Sequence, residues 1–132
     1  MKGIGANVIK TLTMGTRLAC TDNSGAKIIC IISAKGFKGK RGRGPRAGVG
    51  DVVIASVKKG KPDMVKKVVK ALIVRQKKEY RRPNGMRIAF EDNAAVLVTD
   101  EILPVATEVK GVVAKEIAER FPKVSAIAAG IV

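Results

Sequence analysis

The sequence predicts a mainly β protein: a small five- to six-stranded β-barrel with a short C-terminal helical appendage. Apolar runs rich in β-branched residues recur at short spacing, and clusters of Gly, Pro, Asn and Asp separate them. The connections are also too short for the crossover helices of a parallel sheet. At 132 residues the chain is expected to form a single domain, with the barrel over about 16–100 and the C-terminal section over about 101–132.

The first strands are predicted to form a hairpin over residues 16–34. Leu18 and Cys20 alternate onto one face of its first strand. Asp22 to Gly25 is typical of a turn, because Asp and Asn side chains bond their own backbone and Gly accepts a positive φ. Five consecutive apolar residues over 28–32 then predict a strand that is buried on both faces.

The next strands are predicted over 52–57, 65–74 and 94–98. The connection between the last two is a basic hairpin held out by two buried strands. Its tip, Arg82-Pro83-Asn84-Gly85, predicts a type I turn followed by a bulge. Pro83 presets φ at the second turn position, and Gly85 supplies the positive φ that the bulge needs.

The C-terminal section changes character. Val113, Ile117 and Phe121 share one face of a helix predicted over 112–121, which Pro122 ends. The barrel itself is the expected cover for that face. Residues 124–132 are small and apolar, and they are compatible with either a second short helix or part of a partner interface.

Charge is distributed unevenly along the chain. The chain carries a net charge of +15; residues 1–82 hold 21 basic and 4 acidic side chains, whereas residues 84–132 hold 5 and 7. A one-sided cationic field points to a polyanion, with nucleic acid as the leading candidate. An anionic membrane is second, but no basic amphipathic helix, lipidation motif, membrane-spanning stretch or signal peptide supports it.

Two segments concentrate the candidate RNA contacts. Residues 35–46 combine six basic residues with four glycines, which suits a loop that orders on RNA better than a disordered solubilising loop. The basic hairpin should be the firmer grip because little ordering entropy is lost there. The predicted RNA-binding residues are Lys35, Lys38, Lys40, Arg41, Arg43, Arg46, Lys58, Lys59, Lys61, Lys66, Lys67, Arg75, Lys77, Lys78, Arg81, Arg82 and Arg87.

The residues of an enzyme are missing. The chain has no histidine, few acidic residues in its basic half and no complete phosphate-binding loop, so no catalysis, cofactor or metal site is expected. Cys20 and Cys30 are predicted to be free and buried. With four aromatic residues, the chain suits folded RNA better than single strands, although a barrel that binds single-stranded nucleic acid is the alternative class. A purely protein-binding adaptor is a third class, which the cationic half argues against.

Three motifs carry a resemblance. They are Thr21-Asp22-Asn23-Ser24-Gly25-Ala26, then Gly48-Val49-Gly50-Asp51, then the pattern from Ala71 through Asn84-Gly85, Phe90 and Asn93 to Val96-Leu97. In this order they resemble the ribosomal large-subunit protein L-fourteen family, from about Arg17 to the C-terminus, with the first fifteen or so residues outside the match. The long basic loop and the N-terminal extension resemble the archaeal and eukaryotic branch.

The resemblance implies a structural constituent of the cytoplasmic ribosome. It implies contacts with large-subunit ribosomal RNA, a bridge to small-subunit ribosomal RNA, large-subunit neighbours such as protein L-three, and an anti-association factor that docks near the C-terminal part. The outward side of the predicted helix offers mixed charge suited to reversible protein docking. The predicted partner-facing residues are Lys115, Glu116, Glu119 and Arg120.

Overall fold

A computed structural model describes residues 3–39 and 41–132 of the chain. Within these residues it contains eleven strands and two short helices. In chain order they are β1 (Leu12–Thr13), β2 (Arg17–Cys20), β3 (Ala26–Ala34), β4 (Arg46–Ala47), β5 (Val52–Gly60), β6 (Val68–Arg75), β7 (Tyr80–Arg81), β8 (Arg87–Ile88), β9 (Ala94–Val98), β10 (Val109–Val113), α1 (Lys115–Arg120), α2 (Pro122–Ala126) and β11 (Ala128–Ile131).

Five strands close into the predicted barrel, in the order β2-β3-β5-β6-β9. Neighbouring strands are antiparallel except at the closing pair, where β2 runs parallel to β9 with Ala19 opposite Ala94. Closure leaves none of these strands with an unpaired edge. The mainly β fold with a five-stranded barrel and short C-terminal helices is therefore confirmed.

The barrel interior is filled by aliphatic side chains from alternate positions of its strands. Ile29, Ile31, Val53, Ile73 and Leu97 are each at most 2% exposed. Burial of such a side chain contributes about 1.5–3 kcal/mol relative to leaving it in water. The interior therefore forms a close-packed core that holds the outer loops on a rigid support.

The prediction that residues 28–32 are buried on both faces is wrong. Ile29 and Ile31 point into the barrel, while Ile28 and Cys30 are half-buried and Ile32 is 42% exposed. A barrel of this size has one interior, so alternate side chains of β3 must point outward. The continuous apolar run therefore leaves aliphatic side chains on the outside of β3.

Strand β6 begins three residues later than predicted. Lys66 has a φ of +69° and lies in the turn before it. Backbone bonds from Val57 to Lys67 and from Lys66 to Val57, both 2.9 Å, continue the pairing without regular strand geometry. The turn exposes Lys61, Lys66 and Lys67 at one end of the barrel.

The helix predicted over 112–121 is shorter, because a strand replaces its first part. Strand β10 pairs in parallel with β11, which lies in the segment that the sequence left open. Gly111 has a φ of +78°, which is incompatible with a helix, and Val112 and Val113 are β-branched. The predicted burial of Val113, Ile117 and Phe121 is nevertheless confirmed.

The N-terminal extension packs on the barrel and its hairpin. Strand β1 pairs antiparallel with β4, so Thr13 lies opposite Arg46. The amide of Asn7 donates to the carbonyl oxygen of Arg81 at 3.1 Å, and the carbonyl oxygen of Ile9 accepts a bond from Gln76 Nε2 at 3.1 Å. These bonds help to fix the base of the basic hairpin.

Candidate nucleic-acid interface

The basic hairpin (residues 77–90) is a short antiparallel ribbon between β6 and β9. Strands β7 and β8 pair with Tyr80 opposite Ile88 and Arg81 opposite Arg87. The amide of Gly85 donates to the carbonyl oxygen of Arg82 at 2.9 Å, and Gly85 has a φ of +87°. The turn that the sequence predicts is therefore present.

A buried cluster ties this ribbon to helix α1. Glu116 is 3% exposed; its Oε2 accepts a bond from the Tyr80 hydroxyl at 2.6 Å, and its Oε1 accepts a bond from Arg82 Nε at 2.8 Å. Arg82 Nη2 also donates to the carbonyl oxygen of Val132 at 2.7 Å. The orientation of the ribbon is thus set by a contact with the C-terminal section.

The pKa values in this cluster follow from burial and charge. Burial acts to raise the pKa of Glu116, but the bonds from Arg82 and Tyr80 outweigh it and hold that pKa below its usual value. Burial and the bond to Glu116 raise the pKa of Tyr80. The bond to Glu116 raises the pKa of Arg82. The cluster is therefore a carboxylate, a guanidinium and a neutral phenol at neutral pH.

Arg75 is also held inside the fold. Its Nη2 donates to Asp92 Oδ2 at 3.1 Å, its Nε lies 3.0 Å from Asp92 Oδ1, and its Nη1 donates to the carbonyl oxygen of Val112 at 3.0 Å. A Cβ on Gly111 would lie 2.5 Å from Arg75 Nη1, so the side chain packs directly over this glycine. Arg75 and Arg82, both predicted to contact RNA, therefore bind carboxylates within the chain.

The other predicted RNA-binding residues that the structure describes are all exposed, whereas Lys40 lies outside the described residues. They occupy three places: the glycine-rich loop and β4, the end of β5 with the following turn, and the basic hairpin. They are Lys35, Lys38, Arg41, Arg43, Arg46, Lys58, Lys59, Lys61, Lys66, Lys67, Lys77, Lys78, Arg81 and Arg87. Their contact with RNA stays a prediction.

The cross-strand pair of Arg81 and Arg87 concentrates charge at the ribbon. Side chains directly opposite each other on an antiparallel pair are about 4.5–5.5 Å apart at Cβ, and like charges there are destabilising. Among the described residues, the one ion pair formed by either arginine is an exposed contact between Arg87 and Glu79, 3.4 Å long. An anion that bridged the two guanidinium groups would relieve the repulsion.

Asp22 fixes the turn after β2 to strand β9, and Asn23 holds the C-terminal section against the barrel. Asp22 is 6% exposed; its Oδ1 accepts a bond from the Ser24 hydroxyl and its Oδ2 accepts one from the amide of Leu97, at 2.5 and 2.8 Å. Asn23 Oδ1 accepts a bond from the amide of Thr107 at 3.1 Å. The sequence indicated a turn here but missed these long-range bonds.

Gly48 to Asp51 forms a second structural joint. Asp51 Oδ2 accepts a bond from the amide of Gly48 at 2.9 Å, and Gln76 Oε1 accepts one from the amide of Val49 at the same distance. Gln76 is fully buried and was missed by the sequence reasoning. A glutamine directly after a long apolar strand was the available signal, since a buried amide must bond on both sides.

Cys20 and Cys30 are free, as predicted, but both are half-buried rather than buried. Cys20 Sγ donates to Asp22 Oδ1 at 3.1 Å. Burial and the nearby Asp22 carboxylate raise the pKa of Cys20 to about 12. The thiol of Cys20 is therefore a poor nucleophile at neutral pH.

The predicted partner-facing set on α1 needs one correction. Lys115 and Glu119 are exposed and Arg120 is half-buried, but Glu116 points inward to Tyr80 and Arg82. Glu116 accepts bonds from Tyr80 and Arg82 of the hairpin that packs beside the first turn of α1, whereas Glu119, three positions later, is exposed. The outward placement predicted for Glu116 is wrong.

A shallow apolar groove of about 320 Å³ adjoins this helix. It is lined by Ile102, Phe121 and Pro122, with the charged side chains of Glu101, Arg120 and Lys123 around it. The guanidinium of Arg120 lies 5.4 Å from the centre of the Phe121 ring. The C-terminal section thus combines an apolar surface with mixed charge.

The described part of the chain contains no group of three or more His, Cys, Asp or Glu residues arranged to hold a metal ion. None of its helices has the length and apolarity to cross a membrane. What the exposed surface does offer is cations on loops and on a ribbon, which suits binding of phosphate groups.

Comparison with known proteins places this architecture among ribosomal proteins. A sequence model described as ribosomal protein L14p/L23e matches residues 11–132. Proteins named large ribosomal subunit protein uL14 are 54% identical in Methanococcus maripaludis, over 97% of each chain, and 50% and 48% identical in Methanoregula boonei and Methanospirillum hungatei, over the whole of each chain. The similarity therefore includes the N-terminal extension, which the sequence reasoning had placed outside the match.

Proposed function

Because this chain belongs to the ribosomal protein L14p/L23e family and is a structural, non-enzymatic constituent of the large subunit of the cytoplasmic ribosome, we propose that it grips large-subunit ribosomal RNA mainly through the basic hairpin. The exposed cations of the glycine-rich loop and of the turn after β5 add further phosphate contacts. The observation that carries the proposal is the cross-strand pair of Arg81 and Arg87, held on a ribbon that Glu116 orients.

The charges of Arg81 and Arg87 have the same sign. In the free protein the two opposed guanidinium groups repel each other, so the pair does not serve the stability of the fold. Arg75 and Arg82, which do serve the fold, bind Asp92 and Glu116 instead. The pair of Arg81 and Arg87 contributes little to stability, and buried contacts orient the ribbon that carries it. This arrangement favours binding to an external anion.

The test compares two pairs of charge removals on otherwise identical chains. One variant carries Arg81→Gln and Arg87→Gln in the hairpin; the other carries Arg41→Gln and Arg43→Gln in the glycine-rich loop. Affinity for deproteinised large-subunit ribosomal RNA is measured over a salt series. Each lost phosphate contact should reduce the slope of log affinity against log salt by about 0.7–0.9. The hairpin variant should lose more affinity, since the glycine-rich sequence of the loop predicts a larger loss of ordering entropy on binding.

Three outcomes would count against the proposal. Equal losses from the two variants would show that preorganisation of the hairpin does not matter. A clear fall in the melting temperature of the hairpin variant would show that the arginine pair stabilises the fold and does not serve mainly to bind an anion. Equal or greater affinity for a single-stranded homopolymer would favour the alternative class of barrel, which binds unpaired nucleic acid.

We also propose that the protein contributes to an intersubunit bridge with small-subunit RNA and that its C-terminal section docks an anti-association factor and neighbours such as protein L-three. The exposed Lys115 and Glu119, together with the apolar groove beside α1, support the docking role. Glu119→Arg, which spares Glu116, should weaken co-sedimentation of the factor with large subunits and leave RNA affinity unchanged. Loss of RNA affinity with normal factor binding would refute this division.

A further inference from the structure

The outside of the barrel carries an apolar surface that none of the roles above uses. Cys30, Ser56 and Val68 lie opposite one another on β3, β5 and β6, and their side chains point away from the core. Aliphatic neighbours extend this row along the strands. We call this surface the outer sheet face; its residues are Ile28, Cys30, Ile32, Ile54, Ser56 and Val68. Val68 is 67% exposed and Ile32 is 42% exposed.

The rim of the outer sheet face is cationic. Arg17 lies opposite Cys30, and Lys70 lies opposite Ile54. Lys58 lies two residues beyond Ser56, at the irregularity in the pairing of β5 with β3. Lys70 is paired with Asp100. Arg17 and Lys58 are exposed and form no ion pair within the described residues. The face thus combines an aliphatic centre with two cations that have no counter-charge of their own there.

We propose that, in the large subunit, the outer sheet face is covered by a segment of another protein that brings aliphatic side chains flanked by carboxylates. Exposed apolar patches with a polar rim mark protein contacts, and the free cations select an acidic partner. Lys58, which the sequence predicted to contact RNA, is assigned by this proposal to a carboxylate of that partner. RNA fits the face less well. Its phosphates would contact only the cationic rim, and its bases would find no aromatic ring at the centre, which has only aliphatic side chains, a thiol and a hydroxyl.

The first test measures, in purified large subunits, whether the outer sheet face is shielded from solvent and whether carboxylates lie next to it. Val68→Cys is placed in a chain that also carries Cys20→Ser and Cys30→Ser, so that one thiol reports on the face. Its reaction with N-ethylmaleimide should be at least about tenfold slower in the subunit than in the free chain. A carbodiimide, which joins an amine to a carboxylate, should couple Lys58 to an aspartate or glutamate of a neighbouring protein, and Lys58→Arg should abolish that product.

The second test asks whether the face matters for assembly. Val68→Glu sets a carboxylate against the predicted acidic partner, and should lower incorporation into subunits by at least about tenfold relative to Val105→Glu. Val105 is a matched control because it is also exposed, at 53%, and lies outside the face. The two variants should bind deproteinised ribosomal RNA equally, which separates this proposal from the RNA-binding role of the hairpin.

Three results would overturn the proposal. An equal maleimide rate in the free chain and in the subunit would show that the face stays in solvent. Protection of the thiol together with an ultraviolet cross-link from the face to ribosomal RNA, and no product from Lys58, would identify RNA as the occupant. Equal incorporation of Val68→Glu and Val105→Glu would show that no acidic segment docks there.

Discussion

Replacing Glu116 with alanine should destabilise the protein far more than its place on a short surface helix suggests. The change leaves the Tyr80 hydroxyl, on a fully buried residue, without its partner, at a cost of about 1–3 kcal/mol. It also leaves the Arg82 guanidinium without its carboxylate. Removing one member of a buried ion pair costs about 3–5 kcal/mol.

The costs of the unpaired Tyr80 hydroxyl and of the unpaired Arg82 guanidinium do not add in full. The Arg82 side chain is 15% exposed and keeps its bond to the carbonyl oxygen of Val132, so it can reach water after the change. We therefore expect a loss of about 3–4 kcal/mol. In a domain of this size that loss lowers the melting temperature by roughly 10 °C. Urea unfolding and thermal unfolding, each followed by circular dichroism, measure the two quantities.

Glu119→Ala is the matched control for this prediction. Glu119 lies on the same helix and is exposed, so its removal should change stability by no more than about 0.5 kcal/mol. Equal effects of the two substitutions would refute the inward placement of Glu116 and the anchoring of the hairpin that follows from it.

Lowering the pH should remove the stabilisation that the Glu116 carboxylate contributes. The pKa of Glu116 in the folded protein lies below its ordinary value of 4.5, so the unfolded chain binds the proton more readily. The stabilisation is then complete above about pH 4.5 and is lost as the pH falls through the folded-state pKa. The stability difference between the native chain and Glu116→Gln should accordingly shrink in acid. A difference that stays constant down to pH 2 would contradict the assignment of the charged form to Glu116.

The remaining predictions concern other contacts of the fold. Arg82→Ala should lower stability by at least about 2 kcal/mol and Arg81→Ala by less than about 0.5 kcal/mol. The RNA affinity per folded molecule should fall more for Arg81→Ala than for Arg82→Ala. The reverse order in both assays would refute the distinction between the two arginines. Asp22→Ala should cost about 3 kcal/mol in urea unfolding, because the buried amide of Leu97 and the part-buried Ser24 hydroxyl and Cys20 thiol lose their acceptor. A change below about 0.5 kcal/mol on the same scale would contradict that role. At pH 8 the raised pKa should make Cys20 react with iodoacetamide more slowly than Cys30, and faster alkylation of Cys20 would show that the Asp22 contact does not control the thiol.

The strands of the barrel and the turn of the hairpin were predictable because their signals are local. The apolar runs of β5, β6 and β9 and the Asn84-Gly85 dipeptide act through neighbours a few residues away. The parallel pairing of β10 with β11 was missed for the opposite reason. Strand β11 is built of Ala, Ala, Gly and Ile, of which only Ile favours a strand, and it forms because β10 offers a partner.

The sequence by itself determined that the chain folds as a barrel and that its positive charge is concentrated before Pro83, because periodicity, turn chemistry and charge are properties of short segments. Only the tertiary structure decided which of those charges are free. Arg82 and Glu116 are 34 residues apart, and Arg75 and Asp92 are 17 apart. No local pattern links either pair, since the barrel and α1 must pack before the charges meet. The same packing turned one side of β3 outward, because a closed barrel has a single interior.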